Sequence, residues 1–352
     1  MTDIDIFDYR LAIVGPTRVG KTSLITAILR EAQKLLAGTG VSIDAGDDPT
    51  QIRINRYKRE LAASLMAGEF NPGAIKGTQE PAKYFLDMKV VRGRTKLRLG
   101  ILDYPGGWLN PETRSSGRAA EWDECQSWME ESAVLIVPID ATIVMESVTG
   151  SDLQDAWRTL ETELTADVAR KWVQSKIQQS EPGLLILAPV KCESYFNDNG
   201  GTKDKSEALF EKIVNRFYSE LVQVIREELD GAKKSKDPEN ESTFIDVSIQ
   251  YHPVDTIGSV EIKRARWVQN EENDDRNFEA EFLVRDGGRL NPRGADGILT
   301  SICDHIIGQE KDRSREIIAR FWRWATRENK KLLKVLEELR DKPIASNRRK
   351  II

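Results

Sequence analysis

Histidine and cysteine are scarce in this chain, and each scarcity argues against a class of site. Two histidines occur in 352 residues, His252 and His305, and neither lies in a cluster of metal-ligating side chains. Structural zinc and a histidine-centred catalytic triad are therefore disfavoured. The three cysteines, Cys125, Cys192 and Cys303, are scattered and odd in number. They do not predict a disulfide framework, and they indicate a reducing compartment.

Long apolar runs and a large charge imbalance are absent as well. No run approaches the roughly 18–20 apolar residues that a membrane-spanning helix needs. The first five residues, Met-Thr-Asp-Ile-Asp, are acidic and do not resemble the apolar core of a secretory signal. The 52 basic and 57 acidic residues give a net charge of −5, which is no strong signal for nucleic acid. The sequence predicts a cytoplasmic protein without a transmembrane span.

A phosphate-binding pattern lies near the start of the chain. Residues 11–14 are an apolar strand, residues 15–23 fit GxxxxGK[ST], and residues 24–36 have helical spacing. In this strand–loop–helix context the backbone N–H groups and the helix N-terminus point at phosphate oxygens. A chance glycine-rich turn is the alternative, and the flanking strand and helix disfavour it. The predicted nucleotide-binding residues of the loop are Gly15, Thr17, Arg18, Val19, Gly20, Lys21, Thr22 and Ser23.

A second motif, Asp103-Tyr-Pro-Gly106, follows a predicted strand over residues 96–102. It fits DxxG, in which the aspartate of GTPase-like proteins holds Mg²⁺ through water and the glycine N–H meets the terminal phosphate. Thr78 precedes the neighbouring strand, where such proteins keep a switch threonine that closes over Mg²⁺. The predicted metal-side residues are Thr22, Asp103 and Thr78. The alternatives are a chance Asp-x-x-Gly turn and an ordinary loop threonine.

The two motifs together resemble a known family. Gly-x-x-Arg-x-Gly-Lys-Thr with Asp-Tyr-Pro-Gly-x-Trp-Leu resembles the YcjX-like stress-associated family of GTPase-class P-loop proteins. The class resemblance covers residues 9–249, and the narrower one rests on the two motifs. It implies a nucleotide-binding GTPase-like fold with a helical insertion before the switch region. The residues that carry it are Arg18, Gly20, Lys21, Thr22, Asp103, Tyr104, Pro105, Gly106, Trp108 and Leu109.

Strands alternating with helices predict an α/β P-loop NTPase fold. We expect a mainly parallel sheet with one antiparallel hairpin strand, helices on both faces, a helical insertion before the switch region and a C-terminal helical extension. The expected domains are 1–259 (GTPase-like, with 38–80 as insertion and switch region), 260–295 (a small insertion) and 296–352 (C-terminal helices). Single helices are predicted over 152–179, 207–229 and 313–340. A loop is predicted over 38–49, and a frayed, solvated terminus over 347–352.

The residues expected to contact the base depart from the usual guanine motif. GTPases read guanine with [NT]KxD, and the matching place here is Val190-Lys191-Cys192-Glu193. Lys191 fits, and its stem would cover the base. Val190 replaces a polar residue, and Glu193 carries its carboxylate one methylene further out. The sequence predicts that the bound nucleotide carries guanine, and adenine is the alternative. The alternative is a strand-end lysine followed by a surface glutamate.

Hydrolysis is predicted to be slow. The position after DxxG, which often carries a water-orienting glutamine, is Gly107. Arg18 lies where the similar loop of the guanylate-binding proteins has an arginine, and that resemblance implies an arginine finger supplied in cis. Arg114 and Arg118 are rival fingers, in cis or across a dimer. An outward Arg18 paired with a surface carboxylate is the alternative.

These motifs predict Mg²⁺-dependent binding and slow hydrolysis of GTP (or ATP), with the chain acting as a GTP-driven switch. The predicted catalytic residues are Arg18, Lys21 and Thr78; Gly106, Lys191 and Glu193 complete the nucleotide contacts. A nucleotide-locked interaction module or scaffold subunit with negligible turnover is the alternative, and a P-loop kinase acting on a small molecule is a weaker one. A homodimer or a protein partner contacting the switch region and the last helix is also left open.

Overall fold

The architecture is α/β, as seen in a computed structural model of the chain. It describes residues 6–70, 78–90, 96–112, 114, 118–197, 204–234, 246–258, 260–269, 276–285, 289–312, 330–341 and 349–352. The strands in chain order are β1 (Ile6–Ile13), β2 (Val41–Ala45), β3 (Glu69–Phe70), β4 (Ala82–Val90), β5 (Lys96–Asp103), β6 (Val134–Asp140), β7 (Gly183–Val190), β8 (Val247–Tyr251), β9 (Val260–Gln269), β10 (Arg276–Val284) and β11 (Arg349–Lys350).

The described strands form two sheets. The larger has eight strands in the order β11-β8-β7-β6-β1-β5-β4-β2. Its centre, from β5 to β8, is entirely parallel, whereas β4 pairs antiparallel with both β5 and β2, and β11 pairs antiparallel with β8. The smaller sheet has the order β3-β10-β9. The predicted α/β character and mainly parallel sheet are therefore confirmed.

Helices cover both faces of the larger sheet. They are α1 (Lys21–Leu36), α2 (Asp48–Met66), α3 (Ala119–Glu131), α4 (Ala141–Glu146), α5 (Gly150–Leu160), α6 (Thr162–Gln179), α7 (Ser206–Lys212), α8 (Ser219–Lys234), α9 (Ala295–Asp312) and α10 (Lys330–Arg340). Local sequence sets several of their ends. Asp47 caps α2 by accepting from the Thr50 N–H at 2.8 Å, and Thr149 and Asp152 form a capping box at the start of α5.

Alternating side chains of β1 divide the hydrophobic core into two layers. Leu11 and Ile13 point into the layer that contains α1, α9 and α10, and Ala12 and Val14 point into the layer that contains α3, α6 and α8. Every residue of β6 and β7 is buried, as expected for central parallel strands covered on both faces. This arrangement brings the carboxyl ends of β1, β6 and β7 to one edge of the sheet.

The smaller sheet lies against α2. Tyr57, Leu61 and Leu65 of α2 share a hydrophobic cluster with Val260 of β9 and Phe282 of β10. The segment predicted as a small insertion, 260–295, contains β9 and β10, which pair antiparallel. The two-residue strand β3 in the predicted insertion region joins the same sheet.

Several predicted elements differ from the structure. Residues 38–49 are not all loop, because β2 extends the larger sheet there. The predicted helix over 152–179 is broken at Glu161, whose φ of 46° is left-handed. A π-helical turn, Ile213–Phe217, separates α7 from α8. The end of the chain is not a frayed, solvated terminus, since Arg349 and Lys350 pair with β8. The turn at 92–94, which would join the predicted hairpin strand to the strand over 96–102, lies outside the described residues, as does most of the helix predicted over 313–340.

Candidate functional site

The loop between β1 and α1 is closed by its own lysine. Lys21 is buried, and its Nζ donates to the carbonyl oxygens of Gly15 and Pro16, each at 2.9 Å. Gly20, at the N-cap of α1, has a φ of 108°, a conformation that a side chain would strain. Burial lowers the pKa of the Lys21 ammonium, while the nearby carboxylates Asp103 and Glu161 raise it. The ammonium group is therefore a desolvated positive charge beneath the loop.

The DxxG segment lies directly on this loop. A Cβ added to Gly106 would lie 2.0 Å from the Thr17 nitrogen and 2.2 Å from the Pro16 carbonyl carbon. Only glycine permits this approach of the two backbones. The segment then continues into a short 3₁₀ helix, Gly106–Trp108, which packs its tryptophan into the core. The structure thus brings together the two motifs that the sequence analysis paired.

Three predicted metal-side residues from three separate segments meet at one carboxylate. Thr22 at the start of α1 donates its hydroxyl hydrogen to Oδ2 of Asp103 at 3.0 Å, and Thr78 donates to the same oxygen at 2.9 Å. The other oxygen of Asp103, Oδ1, is buried and has no hydrogen-bond partner among the described residues. Burial raises the pKa of Asp103, and the charge of Lys21 and the two hydroxyls lower it.

This donor set fits a magnesium ion. A carboxylate and hydroxyl oxygens are the hard ligands that Mg²⁺ takes, with water completing its coordination. The buried, unpartnered Oδ1 of Asp103 supplies an oxygen that a cation would satisfy. No group of three or more histidine, cysteine, aspartate or glutamate side chains in the described parts of the chain is placed to hold a metal ion. A cation here would depend on phosphate and water oxygens as well.

Two tyrosines that were not among the predicted site residues form hydrogen bonds with the loop. The Tyr104 hydroxyl accepts a hydrogen bond from the Gly15 N–H at 3.2 Å, and the Tyr57 hydroxyl lies 2.5 Å from Oγ of Ser23. Burial raises the pKa of Tyr57 to about 12. Tyr104 lies inside the Asp-Tyr-Pro-Gly motif, so its position was a usable signal. Tyr57 lies on α2, and nothing local in the sequence ties that helix to the loop.

Lys191 connects the end of β7 to the loop. Its ammonium group forms an ion pair with Asp140 at the end of β6 and lies 3.4 Å from the carbonyl oxygen of Arg18. Asp140 in turn caps α4, because its Oδ1 accepts from the Thr142 N–H at 2.9 Å. Lys191 therefore holds the outer part of the loop from the neighbouring strand ends.

Glu193 is not a surface residue. It is 1% exposed, and its Oε1 accepts from the N–H groups of Ile257 at 2.8 Å and Gly258 at 3.2 Å. Burial raises the pKa of its carboxyl group, and these backbone donors lower it. The alternative of a surface glutamate is wrong. The Glu193 carboxylate links the β7–α7 connection to the segment after β8 by hydrogen bonds.

The three candidate arginines are in different environments. Arg18 is exposed at the tip of the loop with a left-handed φ of 63°, and no described residue forms a hydrogen bond or ion pair with its guanidinium group. Arg114 donates to the carbonyl oxygen of Trp108 at 2.9 Å and stacks on Trp122 at 4.1 Å. Arg118 pairs with Glu121. Of the three, Arg18 has the guanidinium group that is not already engaged.

A cavity of about 490 Å³ borders the outer side of the loop. Strand β10 forms one wall, and Arg276 at its start donates to Asp152 at 2.9 Å and to Asp155 at 3.0 Å on α5. The small sheet thus faces the phosphate-binding pattern and is held there by ion pairs. The cavity is lined by Pro16, Thr17, Arg18, Val19, Asp140, Thr142, Ile143, Thr159, Leu160, Lys191, Asn277, Phe278, Glu279 and Ala280.

Comparison with known proteins shows no family and gives only a weak structural similarity. No protein-family model matches the chain, and no curated protein matches it. Among solved structures, the chain is similar to the GTPase-like domain of S. cerevisiae Ski7, described as bound to GTP. The identity is 13%, the TM-score is 0.30, and the match covers 74% of this chain and 46% of that one. The chain thus spans less than half of that protein chain, and a likeness at this level carries no argument about function.

No helix in the described parts of the chain combines the length and the apolar character that crossing a bilayer requires.

Proposed function

We propose that the chain binds a nucleoside triphosphate with Mg²⁺ on the loop of residues 15–23 and hydrolyses it slowly, as a GTP-driven switch. One observation supports this most: Thr22, Thr78 and Asp103 converge on one point beside the buried Lys21. A structural role alone does not require two hydroxyls on one carboxylate oxygen while its partner oxygen is left buried without a donor. We further propose membership of the YcjX-like family, which rests on the two sequence motifs alone.

The loop and Lys21 would hold the phosphates. The ammonium group of Lys21 contacts the carbonyl oxygens of Gly15 and Pro16 within the loop, which supports a role in binding phosphate there. Gly106 lies against Thr17, which places the DxxG backbone beside the same space. Asp103, Thr22 and Thr78 would hold Mg²⁺, which neutralises phosphate charge when bound.

Arg18 is the proposed group that offsets charge developing in hydrolysis. Its guanidinium group is exposed at the loop tip and unpaired among the described residues, so it is available to turn inward. Such an arginine contributes ~10³–10⁵ in rate where it has been measured in related chemistry. Gly107 has no side chain to orient water, which is why we propose slow turnover. A nucleotide-locked module with negligible turnover is the second candidate, and Gly107 favours it.

Base selection is proposed to involve Lys191 and Glu193, with guanine preferred. The ammonium group of Lys191 lies 3.4 Å from the Arg18 carbonyl oxygen, and this closeness to the loop supports the proposal that its stem covers a base. Glu193 would read the base only if it released the N–H groups of Ile257 and Gly258. We also propose a contact with a protein partner or a second copy through the switch region and the last helix; most of that helix, predicted over 313–340, lies outside the described residues.

The test is calorimetry with GTP and ATP, with and without Mg²⁺, together with mass spectrometry of nucleotide that co-purifies with the protein. We expect binding of at least one triphosphate that needs Lys21 and is strengthened by Mg²⁺. Single-turnover hydrolysis followed over hours separates a slow switch from a locked module. Arg18→Ala is expected to lower hydrolysis while binding persists, and equal activity would remove the internal-finger role. Absence of binding to any purine triphosphate at millimolar concentration would overturn the proposed function.

A further inference from the structure

Glu161 occupies an unusual position between α5 and α6. Its φ of 46° is left-handed, a conformation that a non-glycine residue keeps only where the surrounding structure holds it. Its N–H donates to the Arg158 carbonyl at 3.1 Å, and its own carbonyl accepts from both the N–H and the hydroxyl of Thr165 at 2.9 Å. The backbone is thus fixed on both sides, and the side chain leaves the helix junction at a defined place.

That place is next to the phosphate-binding loop. The two residues before Glu161, Thr159 and Leu160, line the same cavity as residues 16–19 of the loop. Oε2 of Glu161 is buried and has no hydrogen-bond partner among the described residues. A buried carboxylate oxygen without a donor is costly, so a nearby positive charge is its natural compensation.

The nearby positive charge is Lys21. Each of the two groups acts electrostatically on the other, and both are desolvated, so water screens their interaction weakly. Burial raises the pKa of the Glu161 carboxyl to about 7, and the charge of Lys21 opposes that rise. Glu161 therefore titrates near neutral pH, where a change in the charge around Lys21 shifts its protonation.

The other charged or titratable groups around this region come from three elements. Tyr104 follows β5 and Tyr218 precedes α8; burial raises the pKa of both phenols, and the charge of Glu161 adds to that rise. Asp103 ends β5 and also acts electrostatically on Lys21. Asp140 ends β6 and is paired with Lys191. Glu161 and a bound phosphate would therefore both interact with the ammonium group of Lys21, and each would affect how favourably the other carries negative charge.

We propose that Glu161 is a positioning residue of the phosphate-binding loop: when ionised it stabilises the charge of Lys21, and it takes up a proton when a triphosphate binds. This inference rests on the proposed function. The proton comes from solvent and bonds to the carboxylate of Glu161; no bond to phosphorus is formed or broken. Lys21 keeps its own proton and exchanges one negative neighbour for another.

The expected pH dependence follows from the sign of the added charge. A triphosphate is negative, so it raises the pKa of Glu161 above its value in the free protein. The bound state then holds more protons than the free state above about pH 7. Affinity should fall as pH rises from there, by at most about tenfold per pH unit while one group is titrating.

Calorimetry in buffers of different ionisation enthalpy measures this proton directly. Wild type, Glu161→Gln and Glu163→Gln are titrated with GTP and with ATP at pH 6.5, 7.5 and 8.5, with Mg²⁺ in excess so that the nucleotide itself stays deprotonated. Wild type is expected to take up a proton at pH 7.5 and to bind more weakly at pH 8.5. Glu161→Gln should take up none, with an affinity that is flat in pH and at least equal to wild type at pH 8.5. Glu163, exposed on the first turn of α6, is the matched control and should behave as wild type.

Two results would overturn the inference while leaving the proposed function intact. One is nucleotide binding by wild type with no proton uptake. The other is the same proton uptake in Glu161→Gln as in wild type. Absence of heat with any triphosphate in wild type would instead overturn the proposed function. If Glu161→Gln fails to fold, as judged by thermal unfolding, Glu161→Asp is the second variant, because it keeps an ionisable group and aspartate tolerates the left-handed backbone. The number of protons that the wild type takes up on binding then still tests the inference.

Discussion

Thr22 and Thr78 lie 56 positions apart in the chain, yet their hydroxyl oxygens are 3.4 Å apart against the same oxygen of Asp103. One threonine begins a helix of the core and the other lies in the segment before β4. Removing either hydroxyl leaves the carboxylate with one donor instead of two. The two hydrogen bonds therefore connect the segment before β4 to the phosphate-binding loop through Asp103.

Thr78→Ala is expected to weaken Mg²⁺-dependent nucleotide binding about tenfold or more, because it removes a hydrogen bond to a charged group worth about 1.5–3 kcal/mol. Binding in the presence of a chelator should not change. Thr78→Ser keeps the hydroxyl and should resemble wild type. Calorimetry over a series of Mg²⁺ concentrations measures the effect. An alanine variant with the Mg²⁺ dependence of wild type would contradict the role of Thr78.

Gly106→Ala is expected to separate the DxxG segment from the loop, since its Cβ would lie 2.0 Å from the Thr17 nitrogen. Nucleotide binding and thermal stability should both fall. Gly150→Ala is the matched control, because a Cβ there meets nothing within 4 Å. Thermal unfolding and nucleotide titration of the two variants give the comparison. Equal behaviour of the two alanine variants would show that the backbones move apart without cost.

Arg18→Gly and Arg18→Ala both remove the guanidinium group, but only glycine relieves the left-handed backbone. The glycine variant should be the more stable of the two by about 1 kcal/mol. Chemical denaturation measures the difference. Ser180→Gly, at another left-handed position far along the chain, tests the same backbone effect at the end of a helix. A less stable glycine variant at position 18 would mean that the arginine conformation is not strained.

Lys21→Met is expected to abolish triphosphate binding and to lower the melting temperature. Methionine fills a similar volume, but it removes the donor to the Gly15 and Pro16 carbonyls and the positive charge that acts on Asp103 and Glu161. Lys34→Met, near the exposed end of the same helix, controls for loss of a positive charge. Thermal unfolding and calorimetry are the measurements. An equal or higher melting temperature in Lys21→Met would show that the buried lysine does not stabilise the loop.

Arg276→Ala should loosen β10 from α5, because one guanidinium group bridges Asp152 and Asp155. We expect faster amide hydrogen exchange in β10 and a local cost of about 1 kcal/mol, a modest value for a partly exposed pair. Arg266→Ala removes an ion pair to Glu279 within the same sheet and is the control. Unchanged exchange in β10 would mean that packing alone holds the wall of the cavity.

The coarse fold was predictable because its signals are local. The apolar strands, the glycine-bounded loop and the helical spacing after it each occupy a few consecutive residues, and they predict a mainly parallel α/β sheet without knowledge of partners. Strand β2 was missed although Val41 and Ile43 alternate with polar residues, because the flanking glycines and aspartates favour a loop. The break at Glu161 has no glycine or proline to signal it, so helical periodicity continued through it.

Contacts between distant segments were not predictable. Whether Glu193 faces solvent or the N–H groups of Ile257 and Gly258 depends on how β7 and β8 lie side by side, and no local pattern encodes that. The pairing of Arg349 with β8 has the same origin. The motif residues of the candidate site are predictable by type and spacing. The groups that support them, such as Tyr57 and Glu161, follow only from the folded chain.

The strand order has a consequence for synthesis. Strand β1 emerges first and is buried between β5 and β6, so its second neighbour, Val134–Asp140, leaves the ribosome more than a hundred residues later. At translation rates of about 5–20 residues per second, several seconds to tens of seconds pass between the synthesis of β1 and that of β6. During that interval β1 lacks one of its two neighbours, and slower decoding between codons 14 and 134 lengthens the exposure of its unpaired edge.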